Sequence, residues 1–286
     1  KASLPAGLDL SADRAAAASQ EAATVLLVRG GATELELFCV VRSLGSGFLG
    51  GAMVFPGGKL DALDRDPAWA SHLIGDPARS EAIAGGADDA RALCVAALRE
   101  TLEEAGVLGA VARGVGSQTA RVIARVRGSE RLLDALAAED VVLAVDRLVP
   151  FARWITPEAE ARRYDTRFYL LEMPADQEAS HDGHETTRGF WASPSRALEL
   201  FARSEVMLAP PTTRCLELLR GARDFAAAVA IAEQQSLLPI CPRFVPSDPP
   251  ALALPGDPEH ELTTRHVAGP TRFVLRDGRF VSEDPR

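Results

Sequence analysis

Lysine is almost missing from this 286-residue chain. Of its 31 basic residues only Lys1 and Lys59 are lysine; the other 29 are arginine. Basic charge is also in deficit, since 40 acidic residues leave a formal net charge of −9. A field of that sign repels long nucleic acid and anionic membranes. Any anionic ligand must therefore be met by a local arginine patch or by bound cations. Cysteine is sparse: Cys39, Cys94, Cys215 and Cys241 form no CxxC spacing and have no histidine nearby in sequence. That excludes a zinc ribbon or a dithiol motif and predicts reduced, buried thiols in a cytoplasmic protein. Long apolar runs are absent too. The stretch 225–232 is far too short to span a bilayer, and the first 23 residues lack a signal-peptide core. No internal repeat occurs, and no membrane partner is expected. The arginine and alanine richness predicts a GC-rich, bacterial source.

What is present is ordinary for a globular chain: 47% hydrophobic and 25% charged residues. The length allows one large domain or two small ones. Residues 1–20 read as an arm. Thr24–Arg29 and Leu35–Arg42 read as a β-hairpin around Gly30-Gly31, and Met53–Phe55 as a short strand before Pro56-Gly57-Gly58. Residues 61–89 read as a partly helical insertion. A helix is predicted over 89–105, with Asp88 or Asp89 as N-cap and Gly106 as its stop. Residues 117–144 are predicted mostly helical, and 148–155, 163–173 and 185–192 as strands. Ser193-Pro194 opens a helix, and Thr213–Gln235 reads as one long amphipathic helix that caps the sheet or forms a homodimer face. The mixture predicts an α/β (α+β) fold with helices on a mixed sheet. It divides into an arm (1–20), a main domain (21–193) and a C-terminal extension (194–286).

The sharpest chemistry lies at Arg99-Glu100-Thr101-Leu102-Glu103-Glu104-Ala105-Gly106. At 100° per residue, Glu100, Glu103 and Glu104 fall within an arc of about 100° on adjacent turns. Val95, Leu98, Leu102 and Ala105 take the opposite face. Crowded carboxylates repel one another unless a cation sits between them, and carboxylate oxygens suit Mg²⁺ or Mn²⁺. Arg99 can reach Glu103 one turn on. A solvated acidic face gives the same Glu-x-x-Glu-Glu spacing, but the added Arg, the following Gly and the upstream Gly57-Gly58 pair make that coincidence much rarer.

These residues resemble the Nudix box, Gly-x5-Glu-x7-Arg-Glu-x-x-Glu-Glu-x-Gly. Gly58, Arg99, Glu100, Glu103, Glu104 and Gly106 match it. Asp64 stands at the first Glu, and 34 residues rather than seven separate it from Arg99. Thr101 replaces the usual aliphatic residue. The insertion is expected to loop out beside the site. Arg42-Ser43, Gly51-Ala52, Val54-Phe55, Trp154–Pro157, Arg162–Thr166, Phe190-Trp191 and Pro210-Pro211 further resemble the Nudix motif-19 branch, whose mammalian members are coenzyme A diphosphatases.

The resemblance implies an α/β/α sandwich with a mixed sheet, a box insertion and a helical C-terminal extension. It implies one to three Mg²⁺ or Mn²⁺ ions on Glu100, Glu103, Glu104 and the Gly58 carbonyl, with Arg99 supporting them and Glu185 as general base or extra ligand. Arg42, Ser43, Phe55, Gly57, Gly58, Arg162 and Arg163 are the expected substrate-binding residues, the arginines on phosphate. Phe48 and Phe55 could stack a base, but core packing explains each better, and His181 with His184 fits a solvated loop better than a metal pair. The implied partner is a small nucleotide diphosphate: coenzyme A or acyl-CoA, or alternatively ADP-ribose, NADH or a dinucleoside polyphosphate. A non-catalytic nucleotide sensor is the reading from another class, set against the presence of all three box glutamates.

Overall fold

The computed structural model describes residue 4 and residues 8–43, 50–181 and 186–285. Among them, the strands are β1 (Gln20–Arg29), β2 (Glu36–Arg42), β3 (Met53–Val54), β4 (Gly57–Lys59), β5 (Leu73–Ile74), β6 (Val111–Arg113), β7 (Val142–Ala144), β8 (Val149–Ile155), β9 (Tyr164–Glu172), β10 (Thr186–Ala192), β11 (Arg243–Val245), β12 (Ala251–Ala253), β13 (Arg272–Arg276) and β14 (Arg279–Glu283). The α-helices are α1 (Ala78–Ala84), α2 (Ala87–Ala105), α3 (Gly116–Arg127), α4 (Leu132–Glu139), α5 (Pro194–Ala202), α6 (Pro210–Leu219) and α7 (Phe225–Gln234).

Alternation along β1 organises the molecule. Ala23, Val25 and Leu27 enter one core, and Leu26 and Val28 enter the other, as the period of two requires. The main sheet runs β10-β2-β1-β9-β8, with β3 added to β2 and β4 added to the first half of β1. Only β1 and β9 pair in parallel within it, so the sheet is mixed. One face packs on α2 through Leu93, Leu98 and Leu102, with α1, α3 and α4 behind. The other is covered by α5, α6 and α7 and by a second, four-stranded antiparallel sheet, β11-β12-β13-β14. Each fully buried aliphatic side chain in these layers contributes about 1.5–3 kcal/mol. The expected three-layer α/β arrangement is what forms.

Three local readings need correction. Helix α2 starts at Ala87 after Gly86, with no side-chain cap. Asp88 and Asp89 stand inside its first turn, where the helix dipole favours them, and Asp89 accepts Arg65 Nη1 at 2.5 Å. The predicted long helix over 213–235 is two helices. Between them Gly221 takes a left-handed φ of +82°, its N–H donates to Glu34 Oε1 at 2.6 Å, and Asp224 caps α7 through Ala227 N at 2.8 Å. The apolar residues of both helices pack within the chain. Beyond Gln234 the C-terminal extension, which the resemblance implies to be helical, becomes the small sheet; from Leu238 onward the sequence is rich in proline and carries a few short β-like segments, and these are its strands.

The insertion does not loop out. Two 3-10 turns (Ala62–Arg65 and Pro67–Ser71) lead into β5 and α1, and Trp69, Ile83 and Ala84 join the α2 core. Strand β5 extends the sheet formed by β7 and β6. Arg167, only 2% exposed, donates to the carbonyls of Ile83 (3.1 Å) and Ala84 (3.2 Å) and pairs with Glu21 and Asp165, each at 3.3 Å. Burial pulls its pKa down while Asp165 and Glu21 pull it back up.

All four cysteines are thiols, and burial pushes Cys39 up to about 12 and Cys94 to about 11. Among the described residues no helix is long and apolar enough to cross a membrane.

Candidate active site

The site begins with the two glycines of β4. A Cβ on Gly58 would lie 2.3 Å from Glu100 Cδ, and one on Gly57 2.5 Å from the Ala23 carbonyl oxygen. Side chains are thus excluded there by contact, and β4 can lie between β1 and the carboxylate face of α2. The Gly57 N–H donates to Glu104 Oε2 at 3.0 Å, which fixes that carboxylate. Glu104 is buried, Glu100 half-buried and Glu103 exposed. On the far side of α2, Thr101 fits the core because its hydroxyl donates to the Ala97 carbonyl at 2.7 Å.

Arg99 organises the rest. Its Nε and Nη2 donate to Asp64 Oδ1 and Oδ2, both at 2.9 Å. Its Nη1 donates to Glu100 Oε1 (2.7 Å) and Glu103 Oε2 (3.1 Å), and its Nη2 also reaches the Lys59 carbonyl (3.0 Å). Burial opposes the guanidinium charge, but Asp64 and Glu100 outweigh it and raise the Arg99 pKa. Asp64 is itself buried, and its Oδ2 accepts the Asp61 N–H at 2.8 Å. The shorter carboxylate at this box position therefore clamps Arg99. Among the described residues no group of three His, Cys, Asp or Glu side chains stands ready to hold a metal ion; Arg99 bridges two of the glutamates instead.

Beside these carboxylates opens a cavity of about 620 Å³. Strand register gives its floor. One row across the sheet is Lys59–Ala22–Thr166–Trp154, and the next is Gly57–Thr24–Phe168–Ala152. The floor therefore crosses four strands, roughly 14 Å from β4 to β8 at the usual interstrand spacing. Charge collects at the β4 end, where Arg42, Lys59, Asp61 and the α2 carboxylates line the wall. The β8 end is walled by Trp154, Ile155, Pro157, Pro210 and Leu252.

Of the residues singled out in the sequence, Arg42, Phe55, Gly57, Gly58, Arg99, Glu100, Glu103 and Glu104 all line this cavity. Among the described residues, the buried Arg42 Nε has no hydrogen-bond partner. Phe55 also belongs to the second core, so it serves packing as well as the wall. Ser43, Arg162 and Arg163 are not among the lining residues. Arg163 spends its guanidinium on the carbonyls of Thr156 (3.1 Å) and Ala17 (2.6 Å). His181 is exposed. Glu185 lies outside the described residues, as do Gly47, Phe48 and His184. Sequence reasoning missed Lys59, Glu160, Leu8 and Leu10, which also line the cavity. Only Lys59 carried a signal, as one of two lysines directly after the glycine pair.

Comparison with known proteins places the chain in a family. The family model described as the NUDT19 Nudix domain matches residues 77–220. The chain is 31% identical over 248 residues to a Gallus gallus protein named acyl-coenzyme A diphosphatase NUDT19, covering 67% of this chain and 65% of that one. It is 31% identical over 216 residues to the Homo sapiens protein of the same name, covering 61% and 58%. The chain thus spans less than two thirds of the length of these curated relatives. A solved NUDIX hydrolase from Alicyclobacillus acidocaldarius superposes with a TM-score of 0.63 at 30% identity, covering 74% of this chain and 96% of that one. With half of its length matched by that family model, the chain belongs to the NUDT19 branch of the Nudix superfamily.

Proposed function

We propose that the protein is a divalent-cation-dependent diphosphatase acting on coenzyme A or its thioesters, giving 3′,5′-ADP and (acyl-)4′-phosphopantetheine. The observation that carries this is the polarity of one continuous cavity, charged at β4 and mostly apolar at β8, where the single carboxylate, Glu160, is spent on the Asp9 and Ala161 N–H groups. The names of the curated relatives point the same way.

The charge of the cavity supports a bound cation. Its described lining holds three basic side chains (Arg42, Lys59, Arg99) against five acidic ones (Asp61, Glu100, Glu103, Glu104, Glu160). A diphosphate entering that wall would meet net repulsion. The all-oxygen donor set of Glu100, Glu103, Glu104 and the Gly58 carbonyl fits one to three Mg²⁺ or Mn²⁺ ions. Such ions neutralise phosphate charge and lower the pKa of a bound water. Arg99 holds Glu100 and Glu103 in register for them, and the Gly57 N–H does the same for Glu104. Arg42, whose buried Nε has no hydrogen-bond partner among the described residues, and Lys59 are the cations assigned to phosphate. Hydrolysis places the water oxygen on one phosphorus, and the bridging oxygen leaves with the other. Glu185 stays the proposed proton acceptor. The thiols support a reducing compartment, and we assign the protein to the cytoplasm on that ground.

The test is Mg²⁺-dependent hydrolysis of coenzyme A and an acyl-CoA, with ADP-ribose and NADH beside them and products resolved by mass. Formation of 3′,5′-ADP is expected. Cleavage of ADP-ribose or NADH alone would overturn the coenzyme A assignment, and nucleotide binding without turnover would favour the sensor reading.

A further inference from the structure

Part of the cavity wall comes from outside the span that the family model matches. Residues 8–11 cross the β8 end of the cavity, and Leu8 and Leu10 line it while packing against the second core. This arm is latched at one point. Glu160 is 2% exposed and also lines the cavity. Its Oε2 accepts the Asp9 N–H at 2.9 Å, its Oε1 accepts the Ala161 N–H at 2.9 Å, and it forms a β-bridge with Leu10. The Ser11 N–H donates to the Ala159 carbonyl at 2.9 Å. Further along, Arg14 Nη2 reaches Asp9 Oδ2 at 2.7 Å, and Arg163 Nη1 holds the Ala17 carbonyl. A buried carboxylate spent on backbone amides costs desolvation, and here it fixes one strand of chain over the cavity.

We infer that the arm at residues 8–11, latched by Glu160, is a specificity element that binds the apolar tail of the substrate. The inference rests on the diphosphatase reading for which group is cleaved, and it names what lies at the other end. The floor register puts the arm's end of the cavity three interstrand spacings, roughly 14 Å, away from the glycine strand. A substrate bridging both ends has a diphosphate at β4 and an apolar terminus at β8, joined by a flexible arm. An acyl thioester of coenzyme A has that form. Free coenzyme A presents only a thiol to Leu8, Leu10 and Trp154, and ADP-ribose a polar sugar. Glu160 is thus a positioning residue, acting through the arm.

Two measurements test this on the full chain. The first is kcat/KM with Mg²⁺ for coenzyme A and dodecanoyl-CoA, in wild type, L8A/L10A, E160A and E160Q. The second is binding of the same two compounds in EDTA, followed by tryptophan fluorescence, because Trp154 lines the cavity. Wild type should favour dodecanoyl-CoA by about tenfold or more, the range that a few apolar contacts supply. In L8A/L10A and E160A that preference should collapse to within about threefold, and E160Q, which keeps an acceptor oxygen, should restore part of it. Equal loss for both compounds would make the arm merely structural and overturn the inference, as would a wild type without preference. Preference in binding without any turnover would sink the diphosphatase reading alone; turnover without preference would sink the arm alone.

Discussion

Two parallel hydrogen bonds tie Asp64 to Arg99, and a third and fourth tie Arg99 to Glu100 and Glu103. Removing one partner of such a half-buried group leaves a charge uncompensated, which costs about 3 kcal/mol or more. D64N should therefore lower the melting temperature and reduce kcat together, because Arg99 then no longer holds its glutamates; thermal melts and steady-state kinetics check both. E103Q and E104Q should cut turnover by orders of magnitude while leaving the melting temperature close to wild type. G58A should behave similarly for another reason: its new Cβ would meet the Glu100 carboxylate at 2.3 Å, so activity should fall at least about tenfold with the circular dichroism spectrum retained. At this scale the sequence was legible where residue types are rare in combination. Arg99, the three glutamates and the glycines could be found by spacing alone. Glu160, Leu8 and Leu10 could not, because a glutamate in a loop and leucines in an arm are common, and only tertiary contact gives them a place.

Elements were legible to within a few residues wherever the apolar period was clean, as in β1, β2, β9 and α2. They were misread where a buried acid interrupts a pattern. Glu34 is the example. From the β1–β2 turn it accepts the N–H groups of Ser195 (3.2 Å) and Gly221 (2.6 Å), and the second contact helps to split the predicted long helix into α6 and α7. Burial works against the Glu34 carboxylate, but these backbone donors and Ser193 and Ser195 prevail and lower its pKa. A lowered native pKa adds stability above the unfolded value near 4.3 and loses it as pH falls through the native value. E34Q should thus be destabilised by about 1–3 kcal/mol at pH 7, and its deficit against wild type should shrink as unfolding is measured toward pH 3. The insertion was rightly read as partly helical, but its Asp, Pro and Gly content gave no sign that Trp69, Ile83 and Ala84 pack it into the core instead of letting it loop out. W69A should cost about 3–5 kcal/mol in urea unfolding; a cost below about 1 kcal/mol would mean that the insertion packs only loosely.

Across the whole molecule, the sheet keeps its carboxylate helix on one face and its cavity on the other, joined past the glycine strand. The extension closes the second face. Arg214, 1% exposed, fastens α6 to the small sheet through the carbonyls of Ala268 (2.5 Å) and Pro270 (2.6 Å) and through Ser282 Oγ (3.1 Å), and pairs with Glu217 at 3.0 Å. R214A should loosen that layer, and limited proteolysis should then cut first within 236–286.

Leu8 and Leu252 stand on the same cavity although 243 residues of chain run between them. Synthesis delivers the first early and the second late. The complete carboxylate helix α2 leaves the ribosome long before the cavity beside it has a finished wall. A product truncated between α6 and β12 would carry all three box glutamates and the sheet floor but a cavity open where Leu252 belongs. The order of the chain thus leaves the cavity unfinished until β12, two strands before the last described one, has been made.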